Sequence, residues 1–277
     1  YKIYILSDGI DGENRNSIER LAAPFECRLE FIDVSGILEE HDFPHTEQWP
    51  VPAWGRVFIP ELLKGERGNI LYLDIDVLVC RDLRELFRTD MSGKAVGVVF
   101  ENFSRPGSHF NERLEMPLTC TGYFNSGVLL LDLKQWRQQK FTQKLFQWLE
   151  QVGSTKILWG DQDALNGVLD GDFIELPKKY NCIVINNTVL KAAGEDVIVH
   201  YIDYVKPWHI YYYDSDEKKL YWQYVKKSLW SDLQPLDGNT VETALLTARL
   251  LHNRGEYQKA SSYYEAVLKY LLGDKYF

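Results

Sequence analysis

The chain has 277 residues, 45% of them apolar and 26% charged. That suffices for one large α/β domain, or a domain with an appendage, and excludes disordered and collagen-like architectures. Its 31 Lys and Arg stand against 40 Asp and Glu, a formal charge of -9 that argues against a nucleic-acid groove.

The opening residues 1–6 are β-prone and end in a turn at Ser7-Asp8-Gly9. Residues 17–23 suit a helix, and residues 29–34 alternate like a strand. The polar, proline-dotted residues 41–52 read as a long loop, a feature often tied to function. Residues 54–63 then look helical. The strongest strand spans residues 70–79, with others at 95–100 and 127–133, and a helix is expected over 135–151. Strands separated by helices predict a mostly parallel sheet covered on both faces, with its chemistry at the strand C-termini.

Past Trp208 the texture changes. Residues 216–230 and 241–272 are helix-like, with a break at Gly255. The spacing of Gly255, Tyr257, Ala260, Tyr264 and Val267 resembles one tetratricopeptide repeat, and a single repeat makes no solenoid, so a packed helical appendage is expected. No apolar run is long enough to cross a bilayer, and no signal peptide opens the chain. Cys27, Cys80, Cys120 and Cys182 form no CxxC pair, which fits a reducing, cytoplasmic compartment. The Tyr- and Lys-rich residues 211–227 offer a peripheral membrane contact or, as the plainer use, a packed helix face.

Chemistry begins at Asp74 and Asp76, which interrupt an otherwise apolar run. In a strand, residues i and i+2 share a face, so both carboxylates would project together. A divalent cation would resolve the cost of those charges, because hard cations favour carboxylate oxygens. Two solvated acids at a strand's exposed end are the alternative. Tyr123-Phe124-Asn125-Ser126-Gly127 reads as a small polar turn entering a buried strand. Trp159 to Asn166 opens a helix, with Asp161 suited to cap it and Gln162, Asp163 and Asn166 left over. His200 by itself is as well read as a buried structural histidine. Lys206, beside Pro207 and Trp208, is a cation on a stiff turn suited to a phosphate oxygen, or an ordinary surface lysine.

Taken in order, YLDxD, FNSGVLLLDL, DQDxLN, KYN and HYxxxxKPW resemble glycosyltransferase family 8 over residues 1–208. The resemblance implies a GT-A fold: a Rossmann-like α/β architecture whose mixed, mostly parallel sheet is flanked by helices. Residues 1–210 would form the transferase domain and residues 211–277 a helical extension. It also implies that Asp74, Asp76 and His200 hold Mn²⁺ or Mg²⁺ against the diphosphate of a UDP-sugar. Lys206 would touch the diphosphate, and Arg56 the donor, with Asp163 among the donor-binding residues. Asn125, Asp161 and Gln162 would line the donor-sugar pocket with Glu101 beside them, Gln162 nearest the anomeric carbon. Transfer in the family retains anomeric configuration. Gln162 is a poor nucleophile, which favours front-face attack by the acceptor over a covalent intermediate.

Three features depart from the family pattern. Residues 1–8 match its second strand, so its first strand–helix unit, which helps hold uracil and ribose, is expected to be absent here, leaving an open sheet edge. Asp203 stands where a glycine lies close to the diphosphate, and Trp54 where tyrosine is common. The resulting expectation is a metal-dependent, retaining hexosyltransferase. It would move glucose or galactose from a UDP-sugar to a saccharide, lipid-linked glycan or glycoprotein, with acceptor contacts in residues 41–52 and 102–121. Two alternatives stand beside it: a degenerate transferase domain that binds sugar nucleotide or glycan without turnover, and a haloacid-dehalogenase-like phosphatase.

Overall fold

The computed structural model describes residues 1–45, 50–101, 110–115, 119, 122–185, 188–189, 196–236 and 240–273. They form two compact units, Tyr1–Cys182 with Leu190–His200, and Ile183–Val189 with Tyr201–Phe277. In the first, β1 (Lys2–Ser7), α1 (Gly12–Ala22) and β2 (Arg28–Asp33) make a crossover in which the strands pair in parallel from Lys2↔Arg28 to Ser7↔Asp33. The Asp11 carboxylate caps α1 by accepting the Asn14 N–H. After α2 (Ser35–Glu39), the expected helix over 54–63 is a 3₁₀ stretch, Val51–Phe58, followed by α3 (Ile59–Leu62).

The long strand expected over residues 70–79 is two strands, β3 (Asn69–Leu73) and β4 (Val77–Val79), separated by a turn at Asp74-Ile75-Asp76. Two adjacent like charges are better placed in a turn than on a sheet face, and Ile75 at its tip is fully exposed. After α4 (Arg84–Phe87), β5 (Val96–Phe100) and α5 (Phe110–Leu114) comes β6 (Phe124–Asp132), buried along its first eight residues. The sequence FNSG is therefore the start of this strand and not a turn before it.

With β7 (Ile174–Glu175), these strands order β3-β6-β5-β7. β3, β5 and β7 share a direction, and β6 runs against them. Alternation decides which core each residue enters: Leu129, Leu131, Val96 and Val98 join one cluster, Val128, Leu130 and Val99 the other. The sheet is thus covered on both faces. Between Gly97↔Leu130 and Val99↔Asn125 the register shifts, so β6 bulges around Ser126–Leu129. Bulges re-aim side chains next to functional sites, and this one sits at the polar end of β6.

The helix expected over 135–151 is broken into α6 (Leu133–Gln139) and α7 (Phe141–Val152) by Lys140, held at φ 56°. A left-handed lysine costs about 1 kcal/mol that glycine avoids, so Lys140→Gly is expected to raise the unfolding free energy by ~1 kcal/mol in urea titrations. Next, α8 (Gly160–Leu169) packs against α7. β8 (Cys182–Ile185) pairs with β9 (Thr188–Val189), and β10 (Ile198–His200) pairs antiparallel with β4, setting His200 opposite Val77.

In the second unit, α9 (Asp216–Val225) is capped by Ser215. The buried Lys218 ammonium donates to the Tyr212 carbonyl at 2.8 Å, and Trp222 Nε1 donates to the Pro207 carbonyl at 3.0 Å. These residues serve a packed helix face. α10 (Val241–Asn253), α11 (Tyr257–Leu272) and the intervening Gly255 at φ 79° form a helical pair buried at Ala248, Leu251, Ala260 and Val267. Among the described residues no helix is long and apolar enough to cross a membrane. Cys27 is a free thiol, and Cys120 lies outside the described residues.

Candidate active site

The ladder between β3 and β6 continues one step, with the Asp74 N–H donating to the Gly127 carbonyl at 2.8 Å, before the chain turns away. β10, paired to the far side of that turn, delivers His200. One ligand atom from each of Asp74, Asp76 and His200 lies within 4.8 Å of the others. His200 Nε2 is 3.0 Å from Asp76 Oδ1 and 3.9 Å from Asp74 Oδ2. Two carboxylates and an imidazole are a donor set that suits Mn²⁺ or Mg²⁺. The wall beside them has no side chain by necessity: a Cβ on Gly127 would stand 2.2 Å from His200 Cε1 and 2.6 Å from Asp74 Oδ2. The residues present fit a divalent cation.

Arg56, at the end of the 3₁₀ stretch, is buried beneath this cluster. Its Nη2 lies 2.9 Å from Asp74 Oδ1 and its Nε 3.1 Å from Asp161 Oδ2, and its Nη1 donates to the Ser126 carbonyl at 2.7 Å. The Tyr72 hydroxyl also donates to Asp74 Oδ1, at 2.6 Å. Burial raises the Tyr72 phenol well above its ordinary value, so it keeps that proton. Arg56 and Tyr72 thus occupy Oδ1 of Asp74 and leave Oδ2 turned toward His200. Burial pushes the Asp161 carboxyl up to about 6, with Arg56 acting to lower it and Asp74 to raise it. The guanidinium itself, between two carboxylates, is held fully charged.

Asp161 does not serve as the cap of α8, the plainer of its two readings. It sits on the buried side, accepting the Ser126 hydroxyl at 3.2 Å as well as Arg56. Asp163 takes over the helix start: its Oδ2 accepts the N–H groups of Leu158 and Trp159, and its Oδ1 accepts Arg113 and the Tyr123 hydroxyl. Four partners on a fully buried carboxylate give Asp163 a structural position, in contrast to the donor contact expected from its neighbours.

Gln162 and Asn125 are buried and joined. Gln162 Oε1 accepts Asn125 Nδ2 at 3.1 Å and the Ser126 N–H at 3.0 Å, while Gln162 Nε2 donates to Glu101 Oε1 at 3.3 Å. Asn125 Nδ2 reaches the same Glu101 oxygen at 3.3 Å. The structure therefore brings Asn125, Gln162 and Glu101 together as expected, with Asp161 on the neighbouring Ser126. Asn166, the other carboxamide of α8, bonds the backbone of Phe124 at both its N–H and its carbonyl.

Lys206 and Asp203 lie in the second unit. The Lys206 ammonium donates to the Tyr201 carbonyl at 2.6 Å, and Asp203 Oδ1 accepts the Tyr204 N–H at 3.1 Å. Trp54 is buried against Phe43, with its Nε1 donating to the Pro44 carbonyl at 3.0 Å. Much of the expected acceptor region, residues 46–49, 102–109, 116–118 and 120–121, lies outside the described residues. Sequence reasoning passed over Tyr72, Ser126 and Asn181 as site residues. Asn181 Oδ1 lies 2.9 Å from His200 Nδ1, and its Nδ2 donates to Asn125 Oδ1 at 2.9 Å. Its only signal in the sequence is the KYN element of the pattern.

The model of the family Glycosyl transferase family 8 matches residues 1–211. General stress protein A of Bacillus subtilis (strain 168) is 31% identical over 225 residues, covering 75% of this chain and 76% of that protein. Lipopolysaccharide 1,2-glucosyltransferase of Escherichia coli (strain K12) is 29% identical over 249 residues, covering 86% and 72%. Among solved structures, the galactosyltransferase LgtC in complex with donor and acceptor sugar analogs aligns with a TM-score of 0.67 at 25% identity, over 82% of this chain and 84% of that one.

Proposed function

This chain belongs to glycosyl transferase family 8 and has the GT-A glycosyltransferase fold. From that premise we propose that it moves a hexose, glucose or galactose, from a UDP-sugar to a saccharide or glycoconjugate acceptor, with Mn²⁺ or Mg²⁺ held by Asp74, Asp76 and His200. The convergence of those three side chains from a turn and a separate strand carries the reading. The named glucosyltransferase and galactosyltransferase relatives support a hexose donor. The phosphatase alternative falls with the family assignment.

When bound, the cation supplies Lewis-acid stabilisation of charge on the departing diphosphate. From the resemblance, Lys206 is the residue we assign to the diphosphate. Within the first unit, Arg56 and Tyr72 orient Asp74, and the backbone N–H of Ser126 orients Gln162. A covalent sugar intermediate would need a free carboxylate. Asp161 is engaged by Arg56 and Ser126, and Asp163 is enclosed by four donors. That supports front-face transfer with the Gln162 carboxamide beside the anomeric carbon.

Calorimetry with UDP tests this first. Binding is expected only with Mn²⁺ present, and UDP release is expected with UDP-glucose or UDP-galactose. No UDP binding in saturating Mn²⁺ would overturn the proposal. Gln162→Ala is expected to keep Mn²⁺-dependent UDP binding and to lose at least about 100-fold in turnover. Wild-type binding without turnover on any UDP-hexose and acceptor would instead favour the degenerate, binding-only domain.

A further inference from the structure

We propose that Asn181 is a positioning residue: its carboxamide fixes which nitrogen of His200 faces the metal site and ties that imidazole to the donor-sugar carboxamides Asn125 and Gln162. The inference rests on the assignment of Asp74, Asp76 and His200 as metal ligands.

Two backbone groups beside the site can only donate. The Gly127 N–H lies 3.0 Å from Asn125 Oδ1, and the Ser126 N–H lies 3.0 Å from Gln162 Oε1. Those two donors fix the orientation of both carboxamides, since a flipped amide would set N–H against N–H. With its oxygen so fixed, Asn125 accepts from Asn181, which must present Nδ2 at 2.9 Å. Asn181 Oδ1 then faces His200 Nδ1 at 2.9 Å and can only accept, so Nδ1 carries the proton. In a neutral imidazole the other nitrogen, Nε2, is left with its lone pair.

That lone pair points at Asp76 Oδ1, 3.0 Å away, with Asp74 Oδ2 at 3.9 Å. Acceptor faces acceptor there, an arrangement that a cation between them resolves. Asn181, Asn125 and His200 are each more than nine-tenths buried, so bulk water does not compete for these bonds. One chain of fixed polarity therefore runs from Gln162 through Asn125 and Asn181 to His200. Without Asn181, the imidazole could place its proton on Nε2, bond Asp76 directly and cease to be a ligand. Partners of this kind typically govern metal affinity by 10- to 100-fold.

Two substitutions separate the halves of the role. Asn181→Leu keeps the volume and removes both hydrogen bonds. It is expected to weaken binding of Mn²⁺ alone about 10- to 100-fold, and to move the His200 proton toward Nε2 in ¹⁵N spectra of the imidazole. Asn181→Asp keeps an acceptor for Nδ1–H and loses the donor to Asn125. It is expected to hold Mn²⁺ affinity within about 3-fold of wild type, as carboxylate–histidine–metal arrangements do, while turnover with UDP-hexose falls. A merely structural asparagine would change neither the tautomer nor the split between metal binding and turnover.

A folded Asn181→Leu protein with wild-type Mn²⁺ affinity and wild-type tautomer overturns the inference. Should that variant not fold, Asn181→Asp decides: loss of Mn²⁺ affinity despite the retained acceptor overturns it, and retention supports it. The tautomer and the Mn²⁺ titration need no sugar nucleotide. Failure of wild type to turn over any UDP-hexose would thus sink the transferase reading while leaving the role of Asn181 to be read from these two observables.

Discussion

Asp76→Asn is expected to lower kcat/KM of Mn²⁺-dependent transfer by about 10³-fold, close to 4 kcal/mol of transition-state stabilisation, without destabilising the metal-free protein. Asp76 Oδ1 lies 3.0 Å from His200 Nε2, and Asp74 shares the same turn. In the absence of a cation, Asp76 sets a second negative charge within a few ångströms of Asp74 on the same turn, and like charges so close repel. Asparagine keeps the shape, removes that charge and offers an N–H to His200 Nε2. Urea unfolding in EDTA should therefore give a midpoint equal to or above that of wild type, while UDP release collapses. The opposite pattern, a destabilised protein with residual metal-dependent turnover, would mean that Asp76 is a structural partner of His200. Sites that hold clustered like charges until ligand arrives commonly trade stability for function in this way.

The main lines of this architecture were legible because they rest on runs of residues. The unbroken apolar runs of residues 128–131 and 96–99 mark a sheet covered on both sides, and the helix break at Gly255 follows from local punctuation. The site was legible as a set of residue types in order, but its geometry was not. Asp74 and Asp76 were expected to share one strand face, and they share a turn, because periodicity cannot show where an apolar run changes strands. Asn125 and Ser126 were read as turn residues, since small polar side chains usually are. A bulge in β6 and buried partners on α8 make them strand residues. Asp163 and not Asp161 takes the start of α8 for the same reason: which of two acids two positions apart faces a buried arginine depends on the helix's rotation against β6. Asn181 gains its meaning only when β10 brings His200 beside it, nineteen positions later in the chain.

Arg56→Met is expected to cost about 3–5 kcal/mol of stability at pH 8 in EDTA, the largest loss from any single change in the site. The guanidinium bridges Asp74 and Asp161 while bonding the carbonyls of Ala53 and Ser126, and methionine fills a similar volume with none of these bonds. Two carboxylates would be left without their shared cation, one of them fully buried. The pH dependence follows from Asp161, whose carboxyl burial pushes from its ordinary 3.8 up to about 6. A raised carboxyl favours the folded state fully below the unfolded value, and that contribution is lost as pH rises through the folded one. Removing Arg56, which acts to lower the carboxyl, carries that loss to higher pH still. The deficit of Arg56→Met should thus be largest near pH 8 and shrink toward pH 5.5, where Asp161 takes a proton and its buried charge disappears. Urea titrations at the two pH values check this, and Arg56→Met with Asp161→Asn supplies the control. If the pair is coupled as described, the double variant is more stable than Arg56→Met alone at pH 8, and its pH dependence flattens. A deficit of Arg56→Met that is constant between pH 5.5 and pH 8 would instead assign the loss to packing and to the two carbonyls, and Asp161 would no longer be the group that makes this arginine necessary.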